Sequence, residues 1–506
     1  MNIGLTLLMA GSLLLAMQLP AVAKVSAEQA AKLGTELSPI GANPKANAAG
    51  TIPAWKGESI FSDRVKQLGP DDLEKLRQEI VAYGEAHPNL NLLTNMEDIK
   101  KAAKDSQAFQ DIVGQLASDL GGKTVNELQG ALDPKFVITR GNYKKYADHL
   151  SAGHRKLFEL YDDYRMIVYP SVRGAYYPDK INAATEANAT RATLQGTDGV
   201  SGAKLGFPFP IPTNGAQVIW NHKLKFRGSA VRRYNDQAVV DADGSFEITK
   251  TIESAQFEYS NLSLSPDNRD EDVIAYFLQQ TVAPPRVAGQ FTLVHEIFGL
   301  GTSGRNAWIY NPGLGRVNRA PDVGFDNPSI GSDGLQFNDQ FDMFNGSLSR
   351  YNWKLVGKKE IYIPYNSYLM NNPLAKYSDI VKKGHINQGM ARYELHRVWV
   401  VEATLREGLR HQIARRTFYV DEDSWSIALV DCYDNRGNLW RFQEGHLLTA
   451  PFVPTTTTSP EVIYDLQSGR YFVTAMSNQG TFPDFEIKFE EGFFSPGALK
   501  RRARLR

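Results

Sequence analysis

The sequence is poor in cysteine and has no excess of charge of either sign. Cys432 is the single cysteine among 506 residues, so an intramolecular disulfide is excluded whatever the redox state of the compartment. The 56 basic and 56 acidic residues balance, whereas a nucleic-acid-binding protein usually carries a basic excess or a basic stripe. We therefore predict a fold without disulfides and a protein without a nucleic-acid partner.

The sequence also lacks the motifs of the common catalytic and metal sites. It contains no G-x-S-x-G nucleophile elbow, and its 9 histidines form no H-E-x-x-H pattern. We expect Cys432 to be a buried, small hydrophobic residue, and the run Asp421-Glu422-Asp423 to form a solvated hairpin turn. We predict no catalytic residue, no metal ligand and no cofactor, and we expect that the protein is not an enzyme.

The N-terminus has the pattern of a secretory signal peptide. Residues 1–23 contain no charged side chain, and an apolar run is followed by Ala21-Val22-Ala23 before Lys24. This small-x-small pattern is typical of a cleavage site, and the apolar run is short for a membrane span. We predict a soluble periplasmic protein that begins at Lys24 and, since no cysteine is near, is not a lipoprotein. An uncleaved membrane anchor is the alternative.

Residues 24–228 are predicted to form a helical and extended N-terminal region that packs on a sheet. Apolar residues at three- and four-residue spacing predict helices within residues 71–121, 143–164, 179–194 and 217–226. The proline-rich residues 204–213 cannot form a regular central strand and are expected to be extended.

Residues 229–495 are predicted to form antiparallel strands. Residues 398–405, 415–420, 425–433 and 439–444 are strand-like and are joined by short polar segments, which requires antiparallel neighbours. In all we expect roughly ten strands, enough for a strongly curved sheet. The threonine-rich residues 455–458 are expected to form a loop, and residues 496–506 a frayed basic tail.

Residues 305–365 carry a resemblance to a known family. They open with RNAWIYNPGLGRVNRAP and continue with SDGLQFNDQFDMFNGSLSRYNWKLVGKKEIYIPYN, while SPIGANPKANAAGTIPAWKG stands near the N-terminus. These motifs resemble the DUF1329 family of outer-membrane lipoprotein-sorting-like proteins, a branch of the LolA/LolB-like superfamily. The resemblance covers most of the chain after residue 23.

The resemblance implies an α+β fold and a function in the periplasm. The fold would be a large curved antiparallel β half-barrel of the LolA/LolB type, covered by helices, with an N-terminal helical extension. The function would be to bind or transport a hydrophobic small molecule or lipid, such as a lipoprotein acyl chain, between membranes. An RND-type inner-membrane transporter is the implied partner. Two alternatives stay open: an envelope hydrolase acting on a lipid or glycan, and a protein-binding scaffold.

Strand alternation names candidate residues for the ligand-lining face. Alternate residues of a strand point to the same side of the sheet, and we hypothesise that one such set in each of four strands lines the concave side. The predicted lining residues are Phe291, Leu293, Trp308, Tyr310, Trp399, Val401, Trp425 and Ile427. A one-residue bulge would invert any one of these sets.

Overall fold

One large β-sheet organises the described part of the chain. The computed structural model describes residues 25–57, 66–109, 133–264, 272–299, 304–320 and 326–504. Within these residues it has a 16-stranded sheet and a separate two-stranded one. The predicted signal peptide, residues 1–23, lies outside the described residues.

The strands are numbered along the chain, and most of the long strands lie in its second half. They are β1 (Phe136–Thr139), β2 (Arg165–Val168), β3 (Thr193–Gln195), β4 (Gly199–Ser201), β5 (Ala230–Tyr234), β6 (Asp236–Val240), β7 (Phe246–Gln256), β8 (Val273–Ala283), β9 (Phe291–Ile297), β10 (Arg305–Asn311), β11 (Arg316–Arg319), β12 (Tyr351–Pro364), β13 (Tyr393–Leu405), β14 (Arg415–Asp421), β15 (Ile427–Tyr433), β16 (Leu439–Ala450), β17 (Thr455–Asp465) and β18 (Tyr471–Met476).

The helices lie mostly in the first half. They are α1 (Ala27–Ala30), α2 (Pro70–Ala86), α3 (Met96–Asp105), α4 (Ala152–Leu160), α5 (Asp179–Arg191), α6 (Gly215–Lys223), α7 (Tyr377–Ile380) and α8 (Pro496–Arg504), with short 3-10 turns at Tyr143–His149, Asn338–Met343, Leu348–Arg350 and Tyr368–Asn371. None of the described helices has both the length and the apolar character needed to span a bilayer.

The large sheet is open and almost wholly antiparallel. Its strand order is β1-β2-β13-β14-β15-β16-β17-β18-β6-β7-β8-β9-β10-β11, with β12 also paired to β13 and β5 to β7. The described ladders are antiparallel except at Tyr393 and Val168, where β13 meets β2 in parallel. The α+β class and the large antiparallel sheet are therefore confirmed, and the described strands form an open sheet.

The predicted boundary between the N-terminal region and the sheet region, at residues 228 and 229, falls beside the start of β5. The large sheet includes strands from both sides of this boundary. β1 and β2 come from the N-terminal region and still join β13. The division into those two regions stays a prediction.

Strands β13 to β16 are buried on both faces. All residues of β14 except Arg415 are buried, and so are all residues of β15 except Tyr433. One face carries the core around Leu157, Phe442 and Val462. The other face carries a second core around Trp220, Val401 and Phe418. A strand covered on both sides needs no alternation of polar and apolar residues.

Helix α6 packs directly on the second of these faces. Its N-cap is Asn214, whose side chain accepts a hydrogen bond from the Gln217 backbone at 3.0 Å. A Cβ on Gly215 would lie 2.8 Å from Val401 Cγ1 and 3.1 Å from the Lys354 backbone, so glycine allows the helix to approach the sheet closely. The helix ends at Lys223, a residue that the functional site uses.

Two segments differ from the sequence prediction. Residues 455–458 were predicted to be a loop, but they begin strand β17, because threonine is β-branched and suits a paired strand. The basic residues near the C-terminus were predicted to be frayed, but Pro496–Arg504 form α8, which buries Leu499 against Phe291 and Leu293.

Candidate functional site

A cavity of about 500 Å³ lies on the inner side of the curved sheet. Strands β5 and β7 to β10 form one wall, and β16 to β18 form another; α2 and residues 477–485 contribute further parts of the lining. Strands that are far apart in the sheet order thus face one space, so the sheet is strongly curved. The volume lies within the range of about 300–1,000 Å³ that is usual for small-molecule sites.

An apolar band crosses the first wall. The cross-strand pairs Val231↔Ala255, Ala255↔Phe277 and Phe277↔Val294 place four apolar residues side by side on β5, β7, β8 and β9. All four line the cavity. Aromatic rings from outside the strands add to the apolar lining: Phe341, Phe344, Phe452, Phe482 and Phe485. This part of the cavity is suited to a hydrocarbon chain.

Paired charges lie beside the band, and we call them the charged belt: Arg233–Glu253, Arg305–Glu296 and Arg227–Asp342, with Lys223, Lys225 and Glu461. The Arg233 Nε lies 2.9 Å from Glu253 Oε2, and the Arg305 Nε lies 2.7 Å from Glu296 Oε1. Arg227 Nη2 donates to Asp342 Oδ2. Because each arginine is matched by a carboxylate, the three ion pairs together add no net charge to the cavity wall.

Asp342 is the centre of the belt. Its carboxylate also accepts from Lys225 Nζ at 3.3 Å, and its backbone carbonyl accepts from His222 Nε2 at 2.7 Å. Burial alone would raise the pKa of Asp342, but the charges of Arg227 and Lys225 outweigh it and hold that pKa far below its usual value. Burial, and then the charge of Lys225, lower the pKa of His222 to about 3. His222 is therefore neutral at physiological pH.

The pKa of Glu461, another carboxyl group of the charged belt, is raised, whereas that of Asp342 is lowered. Burial, and then the negative charge of Asp342, raise the pKa of Glu461 to about 7. Its Oε1 accepts a hydrogen bond from Thr458 Oγ1 at 2.6 Å, and its Oε2 accepts from the Met343 backbone at 3.2 Å. The side chain is thus fixed in place although its charge is only partly developed at pH 7.

The predicted lining residues of β9 and β10 lie on the opposite face of the sheet from the cavity. Phe291, Leu293, Trp308 and Tyr310 pack with Phe494 and Leu499 of the C-terminal segment. The residues that line the cavity are their neighbours in sequence, Thr292, Val294 and Ile309, together with Glu296 on the same face of β9. The alternation was read correctly, but the more apolar face is the one that α8 covers.

The other four predicted residues belong to the core between the sheet and the N-terminal helices. Val401, Trp425 and Ile427 are fully buried there, and Trp399 packs against them. The Trp425 ring stacks on Trp399 at 5.9 Å, and its Nε1 donates to the Ile40 carbonyl at 3.0 Å. Trp425 precedes β15 and has a φ of 55°, so strand alternation does not apply to it. None of the eight predicted residues lines the cavity.

Sequence reasoning missed the charged belt entirely. Lys225 and Asp342 are 117 positions apart in the chain, and no motif links them. Only the folded sheet brings α6, the 3-10 turn at Asn338–Met343 and β17 to the same cavity. The sole local signal is the run of basic residues His222, Lys223, Lys225 and Arg227 at the C-terminal end of the helix predicted at residues 217–226.

A second polar cluster lies at the end of β14, where a solvated turn was expected. Asp421, Glu422 and Asp423 are buried instead. Arg173 donates to both oxygens of Asp423, from Nε at 2.8 Å and from Nη2 at 2.6 Å. Arg173 also donates to the Asn43 carbonyl at 2.8 Å. The turn is buried because this ion network attaches the N-terminal segment to the sheet.

His396 completes this cluster. His396, Asp421 and Asp423 bring potential ligand atoms within 4.8 Å of one another, and His396 Nε2 lies 3.1 Å from Glu394 Oε2. Burial and the charge of Asp423 raise the pKa of Asp421 to about 7. Since both oxygens of Asp423 are held by Arg173, the arrangement is that of a buried ion network.

Cys432 is fully buried, as predicted for a small hydrophobic residue. Burial raises the pKa of its thiol to about 12. The thiolate, which is the nucleophilic form, is therefore almost absent at neutral pH.

Comparison with known proteins places the chain in a family. The model of the DUF1329 family, described as a protein of unknown function, matches residues 137–500. An uncharacterised protein of Pseudomonas aeruginosa is 40% identical over 483 residues, which cover 95% of this chain and 94% of that protein.

Two solved structures are similar to parts of the chain. A DUF1329 family protein from Desulfovibrio piger is 15% identical, with a TM-score of 0.38, over 54% of this chain and 92% of that one. A LolA superfamily protein from Nitrosomonas europaea is 11% identical, with a TM-score of 0.35, over 56% of this chain and 98% of that one. On the match of the family model and the identity to the Pseudomonas relative, this chain belongs to the DUF1329 family.

Proposed function

We propose that this protein binds a hydrophobic small molecule or lipid in the cavity and carries it between membranes of the cell envelope. The observation that supports this proposal is the apolar band of Val231, Ala255, Phe277 and Val294 on the cavity wall. Burial of each methylene of a chain contributes about 0.8 kcal/mol. A chain of ten methylenes would therefore gain about 8 kcal/mol before the costs of association are subtracted.

Such a carrier needs no catalytic residue, and we propose that the protein is not an enzyme. Its affinity would come from contact area along the wall, which leaves no short motif in the sequence. The hydrolase alternative requires turnover, so incubation with lipid and glycan substrates followed by mass spectrometry separates the two functions. Intact substrate after prolonged incubation is the result we expect, and product formation above the rate in buffer would contradict it.

The binding test compares two bulky substitutions. Ala255 is buried on the apolar band of the cavity wall, and Val356 is 45% exposed on β12. We expect Ala255→Trp to weaken binding of a fluorescent fatty-acid probe at least tenfold, because the indole occupies ligand volume. Val356→Trp should bind the probe like the parent. Circular dichroism and thermal unfolding establish that both variants fold.

The proposal fails if the parent binds no hydrophobic probe, or if Ala255→Trp binds it as tightly as the parent does. A complementary measurement is lipid extraction of the protein purified from its native host, followed by mass spectrometry. We expect a co-purifying amphiphile in the parent and its depletion in Ala255→Trp.

We also propose that the protein works in the periplasm after removal of residues 1–23, and that it exchanges its ligand with an RND-type inner-membrane transporter. The signal-peptide pattern supports the location, and the family resemblance supports the partner. N-terminal sequencing of the exported protein should begin at Lys24. Cross-linking in intact cells should recover an RND-type protein. Retention of Met1, or cross-linked material without any such transporter, would contradict the respective part.

A further inference from the structure

Lys223 differs from the other cations of the cavity wall in its bonding. It is the last residue of α6, and its side chain lines the cavity. Its Nζ donates to the Gly346 carbonyl at 2.8 Å and lies 5.4 Å from the centre of the Trp220 ring. An ammonium group has three N–H donors, so the hydrogen bond to the Gly346 carbonyl leaves donors of Lys223 for a ligand.

The arginines around it are already matched by carboxylates. Arg305 is paired with Glu296, Arg227 with Asp342, and Arg233 with Glu253. Across the described parts of the chain, no carboxylate lies within 4.0 Å of the Lys223 ammonium. The acidic groups that face it are Glu296, held by Arg305, and Asp198, which accepts hydrogen bonds from Ser347 and Ser349. Lys223 thus presents a positive charge to the cavity without a directly bonded carboxylate, and its ammonium group has N–H donors to spare.

The cavity has an apolar part at the band and a positively charged part at Lys223. Glu296 faces both Lys223 and the cavity, and it lies on the same face of β9 as Val294, two residues further along. Two residues of a strand span about 6.6 Å. The Val294 end of the band therefore lies at this distance from Glu296, on the side of the cavity that Lys223 also lines. Burial lowers the pKa of Lys223 to about 8, although the charges of Glu296 and Asp198 act to raise it, so the ammonium group lies in a weakly solvated place.

We infer that the cavity takes an anionic amphiphile, with its chain on the apolar band and its carboxylate or phosphate head on the Lys223 ammonium. This inference rests on the proposed function and specifies the class of its ligand. The head would accept hydrogen bonds from the spare donors of Lys223 and interact with its positive charge. An uncharged alcohol of the same length would gain the apolar contacts and at most a neutral hydrogen bond.

The test measures displacement of a fluorescent probe by dodecanoate, dodecyl phosphate and dodecanol, which share one chain. The probe is a neutral, uncharged dye, so that its own binding does not depend on Lys223. For the parent we expect at least one of the two anions to bind at least tenfold more tightly than dodecanol. The tighter anion identifies the head as carboxylate or phosphate.

Lys223→Met should remove this preference, whereas Lys223→Arg should keep most of it. The matched control is Lys354→Met, since the Lys354 side chain is 75% exposed on β12 and outside the cavity. If Lys223→Met folds and still prefers the anion, Lys223 is not the anchor and the inference is overturned.

A pH series on the unaltered parent gives a readout that does not depend on the folding of a variant. A carboxylate with an ordinary pKa of about 4 stays ionised from pH 7 to pH 9, while Lys223 loses its proton as the pH rises through about 8. Preference for dodecanoate over dodecanol should therefore fall across this range. The charged groups facing Lys223, namely Glu296, Arg305, Asp198 and Arg227, are paired or hydrogen-bonded by protein groups.

The outcomes separate the two proposals. If the parent binds dodecanol as tightly as either anion, the head assignment is overturned and the hydrophobic carrier remains. A preference for an anion that is constant from pH 7 to pH 9 also overturns the role of Lys223. If no twelve-carbon ligand displaces the probe and the probe itself does not bind, the proposed function fails as a whole.

Discussion

The two parts of the large sheet differ in what covers their faces. Strands β13 to β16 are covered on both faces along most of their length, by α4 and the residues around it on one side and by α5 and α6 on the other, and residues 448–450 at the end of β16 border the cavity. Strands β5 and β7 to β10 have the cavity on one face. The first part is a core, and the second combines a core on its outer face with a binding wall on its inner face.

Strand β9 shows within one strand what separates a core face from a cavity face. Phe291 and Leu293 point to the side that α8 covers, while Thr292, Val294 and Glu296 point to the cavity. The permanently buried face is the more apolar one. A cavity face is mixed in chemistry, because it contacts water when no ligand is bound and must then be solvated.

The largest expected effect comes from removing one phenyl ring from each part of the sheet. Phe418 is fully buried in the doubly covered part, and Phe277 is half-buried on the cavity wall. Phe418→Ala should lower the free energy of unfolding by about 3–5 kcal/mol, since it leaves a void in a packed core. Phe277→Ala should cost less than about 1 kcal/mol, because its ring borders an existing space.

Chemical denaturation of the two variants measures this difference. Equal losses would mean that the cavity wall is as tightly packed as the core. That result would remove the distinction between the two parts.

A second pair of substitutions compares the two faces of β9. Leu293 is 1% exposed beneath α8, and Val294 lines the cavity. Leu293→Lys should destabilise the fold by at least about 2 kcal/mol, as losses of a buried leucine do. Val294→Lys should fold, since its long side chain reaches the polar belt or solvent, but should bind a hydrophobic probe at least tenfold more weakly. The reverse result would place Leu293 on the ligand side, as the sequence first suggested.

The charged belt predicts a pH-dependent stability that the apolar core lacks. The pKa of Glu461 rises from 4.5 to about 7 in the folded protein. As the pH rises between these values, the unfolded chain loses this proton and the folded chain keeps it, so stability falls with pH. Each unit of difference corresponds to about 1.4 kcal/mol.

Glu461→Gln should therefore be more stable than the parent above pH 7 and indistinguishable from it near pH 4. The control is Glu402→Gln, because the Glu402 side chain is 39% exposed on β13 and should leave the slope unchanged. A Glu461→Gln profile parallel to that of the parent across the whole range would refute the assignment.

The smallest effect concerns Cys432 in the doubly covered part. The thiol is buried and its Sγ donates a weak hydrogen bond to Gln443 Oε1 at 3.6 Å. Cys432→Ser should cost about 1 kcal/mol and leave probe binding intact. Iodoacetamide should label Cys432 in urea and not in the native protein. Rapid labelling of the native protein, or a folded Cys432→Ser variant without binding, would show that the thiol serves the site.

Much of the secondary structure follows from local patterns. The predicted helix at residues 179–194 corresponds to α5 (Asp179–Arg191), and the predicted strand at residues 415–420 to β14 (Arg415–Asp421). The errors lie where one local signal was preferred to another. The low complexity of the threonine run at residues 455–458 favours a loop, whereas its β-branched side chains favour a strand. The strand forms, and Thr456 Oγ1 lies 3.0 Å from Thr449 Oγ1 across the ladder.

The candidate site could not be predicted in the same way. The charged belt joins residues of α6, β5, β7, β9, β10 and β17, and each of these residues alone is an ordinary polar residue. The sequence of a strand also does not indicate which segment packs on each of its faces. His295 on β9 contacts the carbonyl of Phe494, which is 199 positions away, and this distant segment decides which side of β9 is closed.

The sequence by itself determined the positions of most strands, the antiparallel pairing of neighbours, the alternation along β9 and β10, and the family. These depend on interactions between residues close in the chain, or on patterns that pairing preserves. Only the tertiary structure decided which face became the cavity, because that depends on where α6 and α8 pack. It also decided that the acidic run at residues 421–423 is buried, because Arg173 meets it there, and that Lys223 contacts a backbone carbonyl and no carboxylate, because Glu296 pairs with Arg305 and Asp198 is bonded to serines.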